Sequence, residues 1–178
     1  MDDYVREVNS VFTQANILVK KGRVTELKED ITKDILGTTD NNDDDVLDDF
    51  SWDETNNTNV FNPRAANIPE MDKLFASSPN GGGNIMVYFV PGLRSLSTGR
   101  AYSTAEGGPA ITYSTFSAKS LAIYGYKEDH RTLPHELGHI LGLDHVNDEN
   151  NLMKQGNNGG TKLEQWQIDI IRKSPYVK

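Results

Sequence analysis

Three of the chain's four histidines fall within the stretch HELGHILGLDH, which runs from His135 to His145. His135 and His139 are four residues apart, so on a helix both imidazoles lie on one face, about one turn apart. Proline is tolerated in the first turn of a helix, so Pro134 indicates that the helix begins there. The spacing therefore predicts a helix that presents two histidines to the same point.

Gly142 follows His139 by three residues and predicts the end of this helix. Glycine adopts the left-handed conformation that terminates a helix and turns the chain sharply. Such a turn can bring His145 back as a third nitrogen ligand. Three neutral nitrogen donors with a water molecule form the open coordination of a catalytic zinc ion. The chain has no cysteine, so no thiolate is present to close the site as a fourth ligand.

Glu136 directly follows the first histidine of the cluster. Its side chain projects beside the site without binding the metal, where it can accept a proton from a metal-activated water. Histidines can also be incidental polar or core residues, but Gly142 and His145 at these offsets favour a metal site over that alternative. His130 fits no offset in the cluster and is interpreted as a surface or helix-entry residue.

Length and composition favour one globular domain spanning residues 1–178, which we expect to be monomeric. No apolar run is long enough to span a membrane, and no basic stripe indicates nucleic-acid binding. The N-terminal sequence MDDYVREVNS is acidic and amphipathic, so it does not resemble a secretory signal. The expected partner is instead a protein or peptide substrate.

The net charge of −8 comes from one Asp- and Asn-rich segment at about 38–62. The rest of the chain is balanced between acidic and basic residues. We interpret the segment as a solvated loop or insertion. An EF-hand alignment fails because Asp45 stands where glycine is needed and Ser51 where glutamate is needed. Calcium binding is therefore unsupported.

Hydrophobic periodicity and turn residues predict an α+β fold in which a sheet is backed by helices. A capping box is predicted with Thr161 at the N-cap and Glu164 at the third helical position, and Ser174-Pro175 ends that last helix. The other predicted elements are a helix at 3–15, a strand within 16–28 before a turn at Gly22, strands at 84–90, 99–105 and 110–116, and a strand or extended segment at 121–126.

The complete pattern His-Glu-x-x-His-x-x-Gly-x-x-His resembles the metzincin clan of zinc metallopeptidases. This resemblance implies a mixed, twisted sheet with an antiparallel edge strand, backed by an N-terminal helix and an active-site helix, plus a C-terminal helix. The clan also has a methionine-containing turn beneath the metal. Met153, eight residues after His145, matches it within NDENNLMK. Val146 departs from the residues of the better-known subfamilies, so no subfamily is assigned.

The resemblance further implies a secreted or exported zinc endopeptidase that cleaves protein substrates. Zinc would be bound by His135, His139 and His145, with Glu136 as the general base. In the clan, an antiparallel edge strand binds the substrate backbone by strand addition. The residues that match this strand are Arg100, Ala101, Tyr102 and Ser103.

Two other functions remain open at the level of sequence. The first is a catalytically silent module that holds zinc and binds peptides without cutting them. The presence of Glu136 argues against it, because a binding module needs no base at that position. The second is a zinc hydrolase that acts on a substrate other than a peptide, which the motif alone does not distinguish from a peptidase.

Overall fold

A computed structural model describes residues 2–26, 46–47, 51–53, 58–60, 73–75, 84–90, 92–93, 99–102, 109–114, 131–156 and 159–178. The chain divides into two compact units, one of Met1–Arg23 with Lys119–Lys178, the other of Val24–Ala118. The described strands belong to the second unit, and the three longer described helices belong to the first. This mixture confirms the predicted α+β class, whereas the single domain over 1–178 stays a prediction.

The first unit begins with helix α1, Asp2–Phe12, which continues as a 3₁₀ turn over Thr13–Ala15. Asn16 ends it with a φ of 55°, in the left-handed region. The predicted helix at 3–15 is therefore confirmed. Its apolar face buries Val8, Val11 and Phe12, each of which stabilises the fold by about 1.5–3 kcal/mol relative to exposure.

The prediction of a strand after this helix is wrong for the part of 16–28 that the structure describes. Residues 17–26 have no regular secondary structure. The side-chain amide of Asn9 bonds both backbone groups of Val19: its Nδ2 donates to the carbonyl at 3.0 Å, and its Oδ1 accepts from the N–H at 2.7 Å. A side chain on α1 thus satisfies the backbone groups that a neighbouring strand would otherwise pair.

The second unit contains seven described strands: β1 Val46–Leu47, β2 Ser51–Asp53, β3 Thr58–Val60, β4 Met86–Val90, β5 Gly92–Leu93, β6 Gly99–Tyr102 and β7 Ala110–Ser114. Three of them form a mixed sheet in the order β4-β7-β6. β4 pairs parallel to β7, and β6 pairs antiparallel to it. The predicted strands at 84–90, 99–105 and 110–116 are confirmed where described, and the predicted antiparallel strand lies at an edge of this described sheet.

Part of the acidic segment at 38–62 forms short strands, not only the loop that composition predicted. β2 and β3 pair antiparallel, with Trp52 opposite Asn59. β1 pairs parallel with β5, with Val46 opposite Gly92. The remaining residues of the segment, and the predicted strand or extended segment at 121–126, lie outside the described residues.

Two further helices complete the first unit: α2, Thr132–Ile140, and α3, Gln165–Ile171. α1 packs against α2. The capping box of α3 lies three residues later than predicted, because Glu164 is the N-cap and Gln167 is the third helical position. Lys162 is extended, and its backbone N–H donates to the carbonyl of Asn150 at 3.0 Å. This pairing prevents Thr161 from starting the helix.

Among the described residues, none of the helices is long and apolar enough to cross a membrane.

Candidate metal centre

The end of α2 turns the chain as predicted. Gly142 has a φ of 103°, which is strained for a residue with a side chain. Its N–H donates to the carbonyl of His139 at 3.0 Å, and the N–H of Leu143 donates to the carbonyl of Gly138 at 3.0 Å. These two bonds form a Schellman motif, which satisfies the last carbonyls of the helix. The chain beyond Gly142 then returns toward the histidine face of α2.

Three imidazoles converge where the chain returns. The Nε2 atom of His145 lies 3.2 Å from Nε2 of His135 and 3.1 Å from Nε2 of His139. One ligand nitrogen from each residue lies within 4.8 Å of both others. Two nitrogen ligands of a tetrahedral zinc ion lie about 3.3 Å apart, given bonds of about 2.0–2.1 Å. The cluster could therefore hold a metal ion.

Backbone carbonyls orient two of these rings. Nδ1 of His135 lies 2.7 Å from the carbonyl oxygen of Leu152, and Nδ1 of His139 lies 2.8 Å from that of Leu143. A carbonyl only accepts hydrogen bonds, so each Nδ1 carries the proton and each Nε2 presents a lone pair to the cluster. Metal-binding histidines commonly have such a carbonyl partner, which fixes both tautomer and ring orientation. The donor set thus fits a cation.

The electrostatics of the site keep the imidazoles neutral. Burial lowers the pKa of His135 to about 4, and the positive charges of neighbouring histidines and Arg131 act in the same direction. Burial also lowers the pKa of His139 and that of His145, although His145 is the less buried of the two. Because a metal binds the neutral imidazole, these shifts leave the three nitrogens ready for a cation at neutral pH.

The site is open on one side. His135 is buried, with 7% of its surface exposed, while His139 is half-buried and His145 is exposed. Glu136 is half-buried and follows His135 directly on α2. A metal at this cluster would therefore have protein on the His135 side and be accessible from the His145 side.

Met153 lies against the backbone of the ligand helix. It is fully buried, and a Cβ atom placed on Gly138 would lie 2.5 Å from its Sδ atom. Gly138 stands between His135 and His139 in sequence, so the sulfur packs on the turn of α2 that carries both ligands. Only a residue without a side chain allows this close approach.

Two features of the loop that carries Met153 were not found by sequence reasoning. Arg131 donates hydrogen bonds to three carbonyls of this loop, at Leu152, Lys154 and Gly156. The side-chain amides of Asn151 and Gln167 bond each other inside the core. For Arg131 a signal exists in the sequence, because it lies four residues before His135 and so shares its helix face. The amide pair has no such local signal.

The remaining predicted site residues are not among those described above. Arg100, Ala101 and Tyr102 lie on β6 of the second unit. Ser103 and His130 lie outside the described residues. Across the described ranges, His135, His139 and His145 form the one group of three or more metal-binding side chains.

Comparisons of the chain with protein-family models, with curated proteins and with solved structures give no match.

Proposed function

We propose that this chain is a zinc-dependent endopeptidase of the metzincin type. The convergence of three imidazole Nε2 atoms within one open cluster carries the proposal. Three neutral nitrogen donors leave one position of a tetrahedral ion for chemistry, as in catalytic zinc sites. The residue after the first ligand is a glutamate, which can act as a base beside that position.

Zinc is the metal that this donor set suits best for hydrolysis. Imidazole also binds copper, iron and nickel, but a site of three imidazoles with an open position is typical of catalytic zinc. When bound, zinc lowers the pKa of a water molecule and polarises a carbonyl group. The chain's own contribution is to hold the three imidazoles neutral and to orient the rings of His135 and His139.

In the proposed reaction, Glu136 moves the protons. Its carboxylate accepts a proton from the attacking water, and then delivers it to the nitrogen of the departing amine. α2 holds Glu136 one residue from the first ligand, so the base and the metal position are fixed relative to each other by helix geometry. The same carboxyl group therefore serves as base and then as acid.

The substrate in this proposal is an extended segment of a protein. The metzincin resemblance assigns binding of the substrate backbone to the strand at Arg100–Ser103. Of this strand, residues up to Tyr102 are described in β6, which pairs antiparallel to β7 at an edge of its sheet. Strand addition at an edge uses backbone hydrogen bonds and so tolerates many side chains. We further propose that the protein acts outside the cell that makes it, because an open endopeptidase would damage its own cytosol.

A peptide-library assay tests the activity. The zinc-loaded protein should cleave peptide bonds, and cleavage should vanish with a chelator and return with zinc. Glu136→Gln should retain zinc and lose at least about 100-fold in kcat, because general acid–base catalysis contributes about 10²–10⁴-fold. Glu149→Gln is the matched control, since Glu149 is exposed on the loop after His145 and should keep full activity.

The outcomes separate the alternatives. Chelator-sensitive cleavage that depends on Glu136 supports the peptidase. Zinc binding with peptide binding and no cleavage would instead indicate a silent binding module. Zinc binding with hydrolysis of small esters or amides, and none of peptides, would indicate another zinc hydrolase.

A further inference from the structure

Arg131 precedes α2 by one residue and reaches into the loop that contains Met153. Its Nε donates to the carbonyl of Leu152 at 3.2 Å, and one terminal nitrogen donates to that of Gly156 at 2.5 Å. The other terminal nitrogen donates to the carbonyl of Lys154. One planar guanidinium thus bonds three alternate carbonyls of a single loop. Each of the three guanidinium nitrogens bonds one carbonyl within a rigid plane, whereas the three N–H donors of an ammonium group radiate from a single nitrogen.

Leu152 links this guanidinium to the metal ligands. Its carbonyl oxygen accepts from Nε of Arg131 and also from Nδ1 of His135, at 2.7 Å. The same oxygen therefore fixes the tautomer and orientation of the most buried ligand. The guanidinium also lies close to the ring itself, with 3.2 Å between a terminal nitrogen and Nδ1. The terminal nitrogen of Arg131 and Nδ1 of His135 are both donors. Each therefore donates to a backbone carbonyl, and neither donates to the other.

The space around the guanidinium is closely fitted. A Cβ atom placed on Gly159 would lie 2.5 Å from Cζ of Arg131 and 2.6 Å from its Nε. Glycine at this position lets the chain pass directly against the guanidinium. Even a methyl group there would displace it.

We propose that Arg131 is a positioning residue for the metal centre: it fixes the carbonyl of Leu152, which in turn orients His135 toward the metal. This inference rests on the proposed metal centre and adds to it a residue that does not contact the metal. Such outer partners of metal ligands typically change metal affinity by about 10–100-fold when they are replaced.

Cobalt binding to the full chain tests the proposal, with affinity measured by chelator competition and the ligand field measured by visible absorption. Arg131→Met should weaken Co²⁺ binding by about 10–100-fold and alter the absorption bands. Arg131→Lys should restore binding only in part, because lysine is a point donor. Arg172→Met is the matched control. Arg172 also donates to a carbonyl, that of Ala15 at 3.0 Å, and its loss should leave cobalt affinity unchanged.

Two further measurements keep the test decisive. Gly159→Ala displaces the guanidinium without removing it, so it should weaken cobalt binding even if Arg131→Met fails to fold. Nitrogen-15 NMR of the metal-free protein should find the Nδ1–H tautomer of His135 in the wild type, and a rise of the Nε2–H tautomer in Arg131→Lys and Gly159→Ala.

The outcomes distinguish this inference from the function on which it rests. The positioning role would be overturned if the folded Arg131 and Gly159 variants bound cobalt as tightly as the wild type and kept the same His135 tautomer. If the wild type bound no cobalt, the metal centre would fail. The tautomer measurement would still decide whether Arg131 orients His135.

Discussion

The side chains of Asn151 and Gln167 bond each other reciprocally inside the protein core. Nδ2 of Asn151 donates to Oε1 of Gln167 at 2.8 Å, and Nε2 of Gln167 donates to Oδ1 of Asn151 at 3.1 Å. Oδ1 of Asn151 also accepts from the N–H of Met153 at 2.8 Å, and Oε1 of Gln167 accepts from that of Glu164 at 2.9 Å. The pair therefore joins the methionine loop to the start of α3.

Replacing Asn151 should destabilise the fold. Both residues are at most 1% exposed, so Asn151→Ala leaves the amide of Gln167 buried without its partner. Leaving a buried polar group unsatisfied costs about 1–3 kcal/mol. Urea unfolding should show this loss in the free energy of unfolding. Gln165→Ala is the control: Gln165 bonds Asp169 on the exposed side of α3, and its loss should change stability by less than about 0.5 kcal/mol.

The double variant Asn151→Ala with Gln167→Ala should lose less than the sum of the two single losses, because it leaves no side-chain amide without its partner. Strict additivity would contradict the reciprocal pair.

Gly138→Ala should disturb the packing of Met153 against the turn of α2 that carries His135 and His139. The added methyl group would lie 2.5 Å from Sδ of Met153 and 3.3 Å from its Cε, so the methionine must move. Overpacking of this kind costs about 1–3 kcal/mol, of which the better helix propensity of alanine offsets about 1 kcal/mol. Urea unfolding should show this loss in the free energy of unfolding. Zinc affinity should also fall, because Met153 packs on the turn that carries two ligands.

Gly22→Ala is the matched control for this change, because no atom lies within 4 Å of a Cβ there. It should be neutral or slightly stabilising. Equal effects of the two substitutions would show that Gly138 and Met153 are not in close contact.

The metal-free protein should lose stability in mild acid. His135 has a pKa of about 4 in the folded state, against an ordinary value of 6.5. As the pH falls below about 6.5, the unfolded chain takes up a proton there while the folded chain does not, so stability declines until about pH 4. The loss is on the order of 3 kcal/mol, and the lowered pKa values of His139 and His145 add to it in the same direction.

Chelator-treated protein, unfolded in urea at a series of pH values, would report this slope. His135→Asn should reduce this slope, since one of the three histidines with a lowered pKa is gone. A wild-type stability that stays constant between about pH 6.5 and 4 would contradict a neutral, buried His135.

Zinc should stabilise the fold, because the three ligands converge only in the folded chain. At a free zinc concentration about 100 times the dissociation constant, the gain is about 2.7 kcal/mol. Thermal unfolding with and without a chelator should show a higher Tm with zinc. His139→Ala should remove most of this difference, whereas a zinc effect that survives in this variant would place the ion elsewhere.

The parts of the site that follow local rules were predictable from the sequence. His135 and His139 share a face because helices repeat at 3.6 residues per turn, and Gly142 turns the chain because glycine permits a positive φ. These rules need no knowledge of the rest of the fold. They place two of the three residues that converge and the turn that brings the third, His145, back to them.

Two of the wrong predictions involve partners that lie ten or more residues away in the sequence. A capping box was predicted at Thr161, but pairing between Lys162 and Asn150 extends the chain there and delays α3. A strand was predicted after α1, but a side chain from Asn9 occupies the backbone groups of Val19. Such pairings depend on where the chain folds back, which local patterns do not encode.

X-ray absorption of the zinc-loaded protein is the sharpest test of the three-histidine metal centre. The spectrum should show a single tetrahedral zinc site with three imidazole nitrogens at about 2.0–2.1 Å and one oxygen at a similar distance. His145→Ala should reduce the imidazole count to two. A protein that retains no zinc, or a zinc site whose imidazole count is unchanged by loss of His145, would show that these three histidines do not form the zinc site.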